Sequence, residues 1–383
     1  MPLRSQLRPT DPRPLTGHVA ARSLHYETGT HHTKERAVRR PMDRRHFLCT
    51  CLAAVSAQVG GCGSRWPRPA APQVMTVRGP VAAARLGVVL PHEHVMVDFA
   101  GADEAGPARY DADAVFDAAR PPLAELHRLG GRTLVECTPA YLGRDPVLLR
   151  RLSEATGLHI LTNTGYYGAR DDQHLPPHAF SDETDALAAR WVDEWVQGVD
   201  GTGIRPGFIK IGVDRGALSE VDRKLVRAAA RAHRETGLTL AVHTGPAEAA
   251  FEQLDVLAEE AVDPSAWIWV HAQAEQDLAR HVRAAERGAW VEFDGLGPDT
   301  VDRHVELVSN MREHNLLHRV LVSHDAGWYH VGEPGGGDFR AFNTLFVDFI
   351  PALRGAGFTQ DDVHRLTVAN PAAAFAIRVR AAA

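Results

Sequence analysis

Cysteine is scarce in this chain: four among 383 residues, at Cys49, Cys51, Cys62 and Cys137. The first three fall in a stretch that reads as an address rather than a fold. At most one ordinary thiol remains in the body, which excludes a disulfide framework. Long apolar runs are missing too, and none reaches the roughly 18 residues a membrane helix needs. No strand-like run is followed by a GxGxxG or GxxxxGK[ST] turn, which weakens an open, doubly wound nucleotide-binding sheet. Positive charge is missing where a nucleic-acid partner would need it. Residues 1–62 hold ten Arg/Lys against four Asp/Glu, so the total of −6 leaves −12 for the rest of the chain. An acidic body offers phosphates no clustered cations, so no nucleic-acid partner is expected.

The basic first part has its own logic. Arg44-Arg45-His46-Phe47-Leu48 opens a short apolar stretch from Phe47 to Val59, and Gly60-Gly61-Cys62-Gly63-Ser64 follows. Twin arginines before a modest apolar core read as an export signal for folded proteins, here residues 42–62. Small residues before Cys62 resemble a lipobox. The expected location is therefore the cell envelope, with membrane contact only through a lipid on Cys62. The alternative is an ordinary signal with a fortuitous Gly/Cys tail. Residues 1–41 show no apolar periodicity. They are either upstream of a true start at Met42 or a disordered basic extension. Residues 63–74, with Pro67, Pro69 and Pro72, read as a linker, 75–378 as one catalytic domain, and 379–383 as a tail.

That domain alternates short β-branched runs with helical segments. Strands are expected at Gly87–His94, Thr133–Pro139, His159–Gly165, Phe208–Asp214, Thr239–Gly245, Trp267–Ala272, Trp290–Gly295 and Val320–Asp325. Between them, Leu187, Trp191, Trp195 and Val199 recur at helical spacing. Another helix opens on Ser219-x-x-Asp222 and stops at Gly237. Eight strands separated by helices predict an α/β fold, a closed (β/α)8 TIM barrel.

Barrel enzymes carry their chemistry at the C-terminal strand ends. Here those ends read His92-Glu93-His94, Glu136-Cys137-Thr138, Asn163-Thr164-Gly165, Lys210-Ile211-Gly212, His243-Thr244, His271-Ala272, Asp294-Gly295 and His324-Asp325. His92 and His94 are two apart on a strand, so both face the barrel mouth while Glu93 faces away into a salt bridge. An HxH pair alone fits buried structural histidines equally well. With His243, His271 and Asp325 closing other strands of the same barrel, metal binding becomes the better reading. Lys210 among histidines would repel cations as an ammonium. It either captures carbon dioxide as a metal-bridging carbamate or pairs with Asp214 or a substrate anion. Glu136 reads as a support behind the histidines or as a plain buried ion pair.

Taken in order, His92-x-His94, Glu136-Cys137-Thr138, Gly143-Arg144-Asp145, Thr164-Gly165-Tyr166-Tyr167, Gly207-Phe208-Ile209-Lys210, His243-Thr244, His271 and Ser323-His324-Asp325 resemble the phosphotriesterase family of the amidohydrolase superfamily. The likeness runs from about Val77 to Asn370-Pro371 and is nearest in motif to the bacterial phosphotriesterase homology proteins. It implies a hydrolase of esters, lactones or phosphoesters with two divalent metals per subunit, zinc being the expected metal, and a homodimer. On that resemblance His92, His94 and Asp325 hold the buried metal, and His243 and His271 the exposed one. Carbamylated Lys210 and a hydroxide bridge the two, and Asp325 carries the proton away. Tyr166, Tyr167, Asp294 and Trp328 are expected at the substrate. The chain departs from lactonase members in following Asp294 with Gly295 rather than Arg. It departs from some homology proteins in having Lys210 where they have Glu. The other reading is an inactive barrel that serves as an exported small-molecule binding protein.

Overall fold

The computed structural model describes residues 71–382. The leader, the twin-arginine segment and Cys62 lie outside the described residues. In chain order the elements are β1 (Gln73–Thr76), β2 (Gly79–Ala82), β3 (Val88–Val97), α1 (Ala112–Leu129), β4 (Gly131–Glu136), α2 (Pro146–Thr156), β5 (His159–Leu161) and β6 (Asn163–Thr164). Then come α3 (Pro177–Ser181), α4 (Thr184–Gln197), β7 (Phe208–Gly212), α5 (Glu220–Thr236), β8 (Leu240–His243), α6 (Ala247–Glu259), β9 (Trp267–Val270) and α7 (Leu278–Glu286). β10 (Trp290–Phe293), α8 (Val301–Glu313), β11 (Val320–Val322) and β12 (Gly327–His330) follow, with three short helices α9 (Ile350–Gly355), α10 (Gln360–His364) and α11 (Asn370–Ala374).

Parallel pairing runs β12-β3-β4-β5 in one sheet and β6-β7-β8-β9-β10-β11 in the other. Only Thr162 separates β5 from β6, and β11 and β12 flank Ser323–Ala326, so the two sheets supply eight strand positions. The first and last positions meet at the top, where the His94 amide donates to the Ala326 carbonyl (2.9 Å) and the Asp325 amide to that of His92 (3.1 Å). The result is the expected (β/α)8 barrel.

Alternation along each strand sorts the residues. Val89, Val135, Phe208, Ile268, Val270, Trp290 and Leu321 fill the barrel, while Leu134, Ile209, Ile211, Trp267, Trp269, Val291 and Val320 pack under the helices. The parity that turns Phe208 inward also turns Lys210 inward, one layer nearer the mouth. Helix α5 begins at a Ser219/Asp222 capping box and ends at Gly237 in a left-handed conformation, as its sequence predicts.

Both ends of the domain differ from expectation. Gln73 and Val74, placed in the linker, belong to the β1–β2 hairpin, and Val74 is fully buried. The supposed tail is anchored: Arg380 is buried, donates to the Ala373, Ala374 and Ala376 carbonyls, and its own carbonyl accepts from the Asp263 amide.

Candidate metal centre

Five of the eight strand positions deliver one cluster. His92 and His94 come from β3, Lys210 from β7 and His243 from β8. His271 follows β9, and Asp325 follows β11. All six line one cavity of about 60 Å³, together with Val97, Phe99, Cys137, Pro139, Leu142, Tyr167 and Trp328. The His92 ring centroid lies 5.3 Å from that of His94 and 5.1 Å from that of His271, and His271 lies 4.4 Å from His243.

Hydrogen bonds around the cluster set the ring tautomers. The Thr138 hydroxyl donates to the Met96 carbonyl (2.9 Å), so it must accept from His94 Nδ1 (2.8 Å). His94 Nε2 is then a bare lone pair, and it lies 3.1 Å from Asp325 Oδ1. Two acceptors face each other there, and Asp325 Oδ1 is buried without a hydrogen-bond donor. A cation belongs between them. Asp294 does for His271 what Thr138 does for His94: it accepts from His271 Nδ1 in a very short contact and also from the His271 amide (3.0 Å) and Gln273 Nε2 (2.7 Å). Its other oxygen lies 3.2 Å from His92 Nδ1, while His92 Nε2 faces Asp325 Oδ1 at 3.7 Å. His94 and His271 thus turn lone pairs toward one space that His92 Nε2 also faces, an arrangement that suits divalent metals. This donor set, with its orphaned carboxylate oxygen, fits the metal pair that the family motif implies.

The electrostatics agree for His94 and His243, while at His92 burial is outweighed by the neighbouring acidic groups, Asp294 among them, which raise that imidazole well above its usual range. Burial lowers the His94 pKa to about 4 and takes His243 well below the usual imidazole range, so both rings are neutral ligands. Burial alone would raise the Asp325 carboxyl, but the neighbouring histidines hold it well below the ordinary carboxylate range. Burial also lowers the Lys210 amine, which is 2% exposed, and a neutral amine is the form that adds to carbon dioxide. The alternative partner of Lys210 is engaged elsewhere. Asp214 accepts from the Arg170 and Asp171 amides (2.8 and 3.1 Å). Cys137 faces the same cavity, and burial pushes its thiol up to about 12.

Loop geometry aims these groups. His271, Asp325 and Trp328 all have left-handed backbones (φ 62°, 52° and 78°), which is costly for non-glycine residues and is found where surrounding contacts enforce it. Glu93 supplies much of that enforcement. Fully buried behind β3, it accepts from Ser323 Oγ (2.7 Å), the His324 amide (3.0 Å), His324 Nδ1 (2.7 Å) and the Ala326 amide (2.8 Å). Two glycines permit close backbone approach. A Cβ on Gly165 would stand 2.1 Å from the Lys210 carbonyl oxygen, and one on Gly327 would stand 1.8 Å from that of His94.

Of the residues expected at the substrate, Tyr167 and Trp328 line the metal cavity, and Tyr167 Oη lies 3.2 Å from His243 Nδ1. Tyr166 does not. As the next residue along the chain it turns the opposite way, packs on Trp191 and hydrogen-bonds His178 Nε2 (2.9 Å). It lines a separate cavity of about 390 Å³, whose Arg144 is tied to Glu194 and Asp200. Asp294 is also displaced from its expected role: it is fully buried beneath His92 and His271, out of reach of a substrate. Among the described residues Glu136 hydrogen-bonds no ligand ring and forms no ion pair. It accepts from the Val95 and Thr138 amides (3.2 and 3.3 Å), bracing the strand ends that carry His94 and Thr138. Sequence reasoning passed over Thr138 as a partner of His94. It also passed over Glu292, a buried carboxyl 3.7 Å from His92 Nδ1, whose pKa burial raises to about 7. Its position two residues before Asp294, on the same strand face, was the available signal.

Comparison with known proteins adds a second line. The phosphotriesterase family model matches residues 72–375. The phosphotriesterase homology protein of Escherichia coli is 31% identical, covering 76% of this chain and 98% of that protein. The aryldialkylphosphatase of Saccharolobus solfataricus is 26% identical over 75% of this chain and 94% of its own. Among solved structures, a mutant of organophosphorus hydrolase from Deinococcus radiodurans superposes with a TM-score of 0.72 at 32% identity, covering 81% of this chain and 99% of that one.

Proposed function

The chain belongs to the phosphotriesterase family, and from that premise we propose that it is a binuclear metal-dependent hydrolase of a small ester, lactone or phosphoester. The observation that carries this reading is the cluster in which the tautomer-locked rings of His94 and His271, His92 Nε2 and an undonated oxygen of Asp325 meet in one cavity. His92, His94 and Asp325 would hold one metal, His243 and His271 the other, and Lys210 as a carbamate would bridge them. When bound, such a pair supplies Lewis acidity toward the substrate oxygen and lowers the pKa of water from about 16 toward about 7.

The chain's own groups do the rest. Thr138 and Asp294 keep His94 and His271 oriented, so neither ring must turn during turnover. Asp325, its pKa held low by the adjacent imidazoles, accepts and passes on a proton at its oxygen without retaining it. Tyr167 and Trp328 close the sides of the cavity and exclude bulk water from the reacting bond. Gly295, where lactonase members have Arg, leaves substrate positioning to other residues.

Turnover of lactones, carboxylic esters and phosphotriesters by metal-reconstituted protein tests the reading, with Lys210→Ala as its control. Hydrolysis of at least one class is expected. Lys210→Ala should lose about a hundredfold or more, as loss of a bridging ligand implies, and recover part of it when a short carboxylic acid is supplied. Normal activity in Lys210→Ala contradicts the bridging role.

A further inference from the structure

A second cavity, of about 390 Å³, backs onto the metal centre and has no part in the hydrolase reading. Neighbouring residues along the chain form the wall between the two. Val97 faces the metal cavity and Asp98 the second one; Leu142 and Tyr141 divide the same way, as do Tyr167 and Tyr166. The wall separates this space from a substrate held on the metals, so its occupant is a different molecule. Its volume is that of a small-molecule site, which usually spans about 300–1,000 Å³.

The lining is acidic. Four carboxylates, Asp98, Asp145, Glu194 and Asp200, border the cavity against one cation, Arg144. The Arg144 side chain is 3% exposed and already engaged, holding Glu194 (2.8 Å) and Asp200 (3.3 Å) at once. Arg109, outside the lining, takes Asp98 (2.7 Å). Asp145 pairs with no cation among the described residues; it accepts from the Tyr110 hydroxyl (2.8 Å) and from the Val147 and Leu148 amides (3.0 and 2.9 Å). Arg190, close enough to influence the Tyr141 hydroxyl, is itself paired with Asp182 (2.9 Å). Two negative charges of the lining therefore stay uncompensated, and the Asp200 side chain is 63% exposed.

Three tyrosines, Tyr110, Tyr141 and Tyr166, line the same space, with the Tyr141 and Tyr166 rings edge to face at 5.5 Å. Tyr141 has φ 64°, a left-handed backbone that is an outlier for a bulky side chain. Its turn is held on both sides: the Leu142 amide donates to the Pro139 carbonyl (3.3 Å), and the Leu142 carbonyl accepts from the Asp98 amide (2.7 Å). Backbone kept in such a region by its surroundings belongs with ligand clamps and functional sites. We propose that this cavity binds a small organic cation, an amine or a quaternary ammonium, through its tyrosine rings and its uncompensated carboxylates. Aromatic faces attract cations through their quadrupole and suit quaternary ammonium groups in particular. The same carboxylates repel an anion. A metal ion would need free carboxylate oxygens, whereas both of Glu194 are on Arg144. The site stands independently of the hydrolase reading.

The test uses metal-loaded, full-length protein and a matched pair, choline and 3,3-dimethylbutan-1-ol, which share a shape and differ in charge. Calorimetry at physiological ionic strength reads the binding, so that long-range attraction to an acidic surface is screened. Choline should bind saturably and about tenfold or more tighter than the alcohol, the scale of a desolvated cation–π contact. Asp200→Asn and Tyr141→Asn remove one charge and one ring, and asparagine tolerates the left-handed backbone at both positions (φ 49° and 64°). Asp200→Asn should lower choline affinity about threefold, the scale of an exposed charge contact, while the alcohol binds as before. The double variant should lose the preference. Thermal melts check that the variants fold, and the exposed Asp200 change keeps the test decisive if Tyr141→Asn does not. Equal binding of the pair, or no saturable binding of choline, overturns the proposal. So does a preference that survives both substitutions, because the acidic surface at large then holds the cation. Loss of the preference with unchanged metal content supports the second cavity as its seat.

Discussion

Asp294 fixes one ligand histidine and lies beneath a second. It accepts from His271 Nδ1, which keeps that ring's Nε2 free, and lies 3.2 Å from Nδ1 of His92. Asp294→Asn can offer an N–H where His271 needs an acceptor. It should weaken metal affinity about 10–100-fold, the usual cost of losing such a partner, and chelator competition measures this. Unchanged affinity means His271 is oriented by something else. Glu136 answers to pH instead. Burial raises its carboxyl to about 7, whereas the unfolded chain releases that proton near 4.3. The folded state therefore binds the extra proton, and this contribution to stability is lost as pH rises from about 4.3 to about 7. In metal-free protein, Glu136→Gln should gain on the parent by about 3–4 kcal/mol between about pH 4 and pH 8. Melting curves across that range check it, and a gap independent of pH contradicts it. Strand alternation made the inward direction of Lys210 and of both β3 histidines legible in the sequence. It could not give depth, which is why Asp294 read as a substrate contact. Nor did a paired motif warn that Tyr166 and Tyr167 must face opposite ways.

Elements were more legible than residues, but their ends were not. All eight strands lie where the β-branched runs place them, yet the observed ladders stop short at several ends. Ladder pairing ends before His271 and Asp325 because their left-handed backbones leave the strand to aim side chains into the mouth. The last strand breaks at Ser323–Ala326 and resumes as β12 alongside β3, with Gly327 opposite His94. Gly327→Ala tests how much that crossing matters. A methyl 1.8 Å from the His94 carbonyl oxygen, on a residue at φ 92°, forces β12 away from β3. The expected loss is about 2–4 kcal/mol of stability together with weaker metal retention, measured by denaturant melts and metal analysis. A variant that melts like the parent would show that β12 is not needed for closure. The β1–β2 hairpin and the Arg380 anchor were illegible for a physical reason. Both are short, and each gains its place from groups distant in sequence rather than from its own periodicity.

At the scale of the whole molecule, barrel closure makes one site from five separate strand ends, joining His92 on the first strand position to Asp325 on the last. The order of the motifs already implied that convergence, and closed parallel topology requires the C-terminal ends to gather on one face. What sequence order could not supply was the set of hydroxyl and carboxylate partners, Thr138, Asp294 and Glu93, that turn gathered histidines into oriented ligands. The central claim is that this arrangement holds two metals. Elemental analysis of protein purified without chelator and reconstituted with excess divalent metal tests it most directly. The account predicts about two transition-metal ions per chain, falling when Asp325 or Lys210 is replaced by Ala. A stoichiometry that stays at one after reconstitution, or that is unchanged by both substitutions, would contradict it.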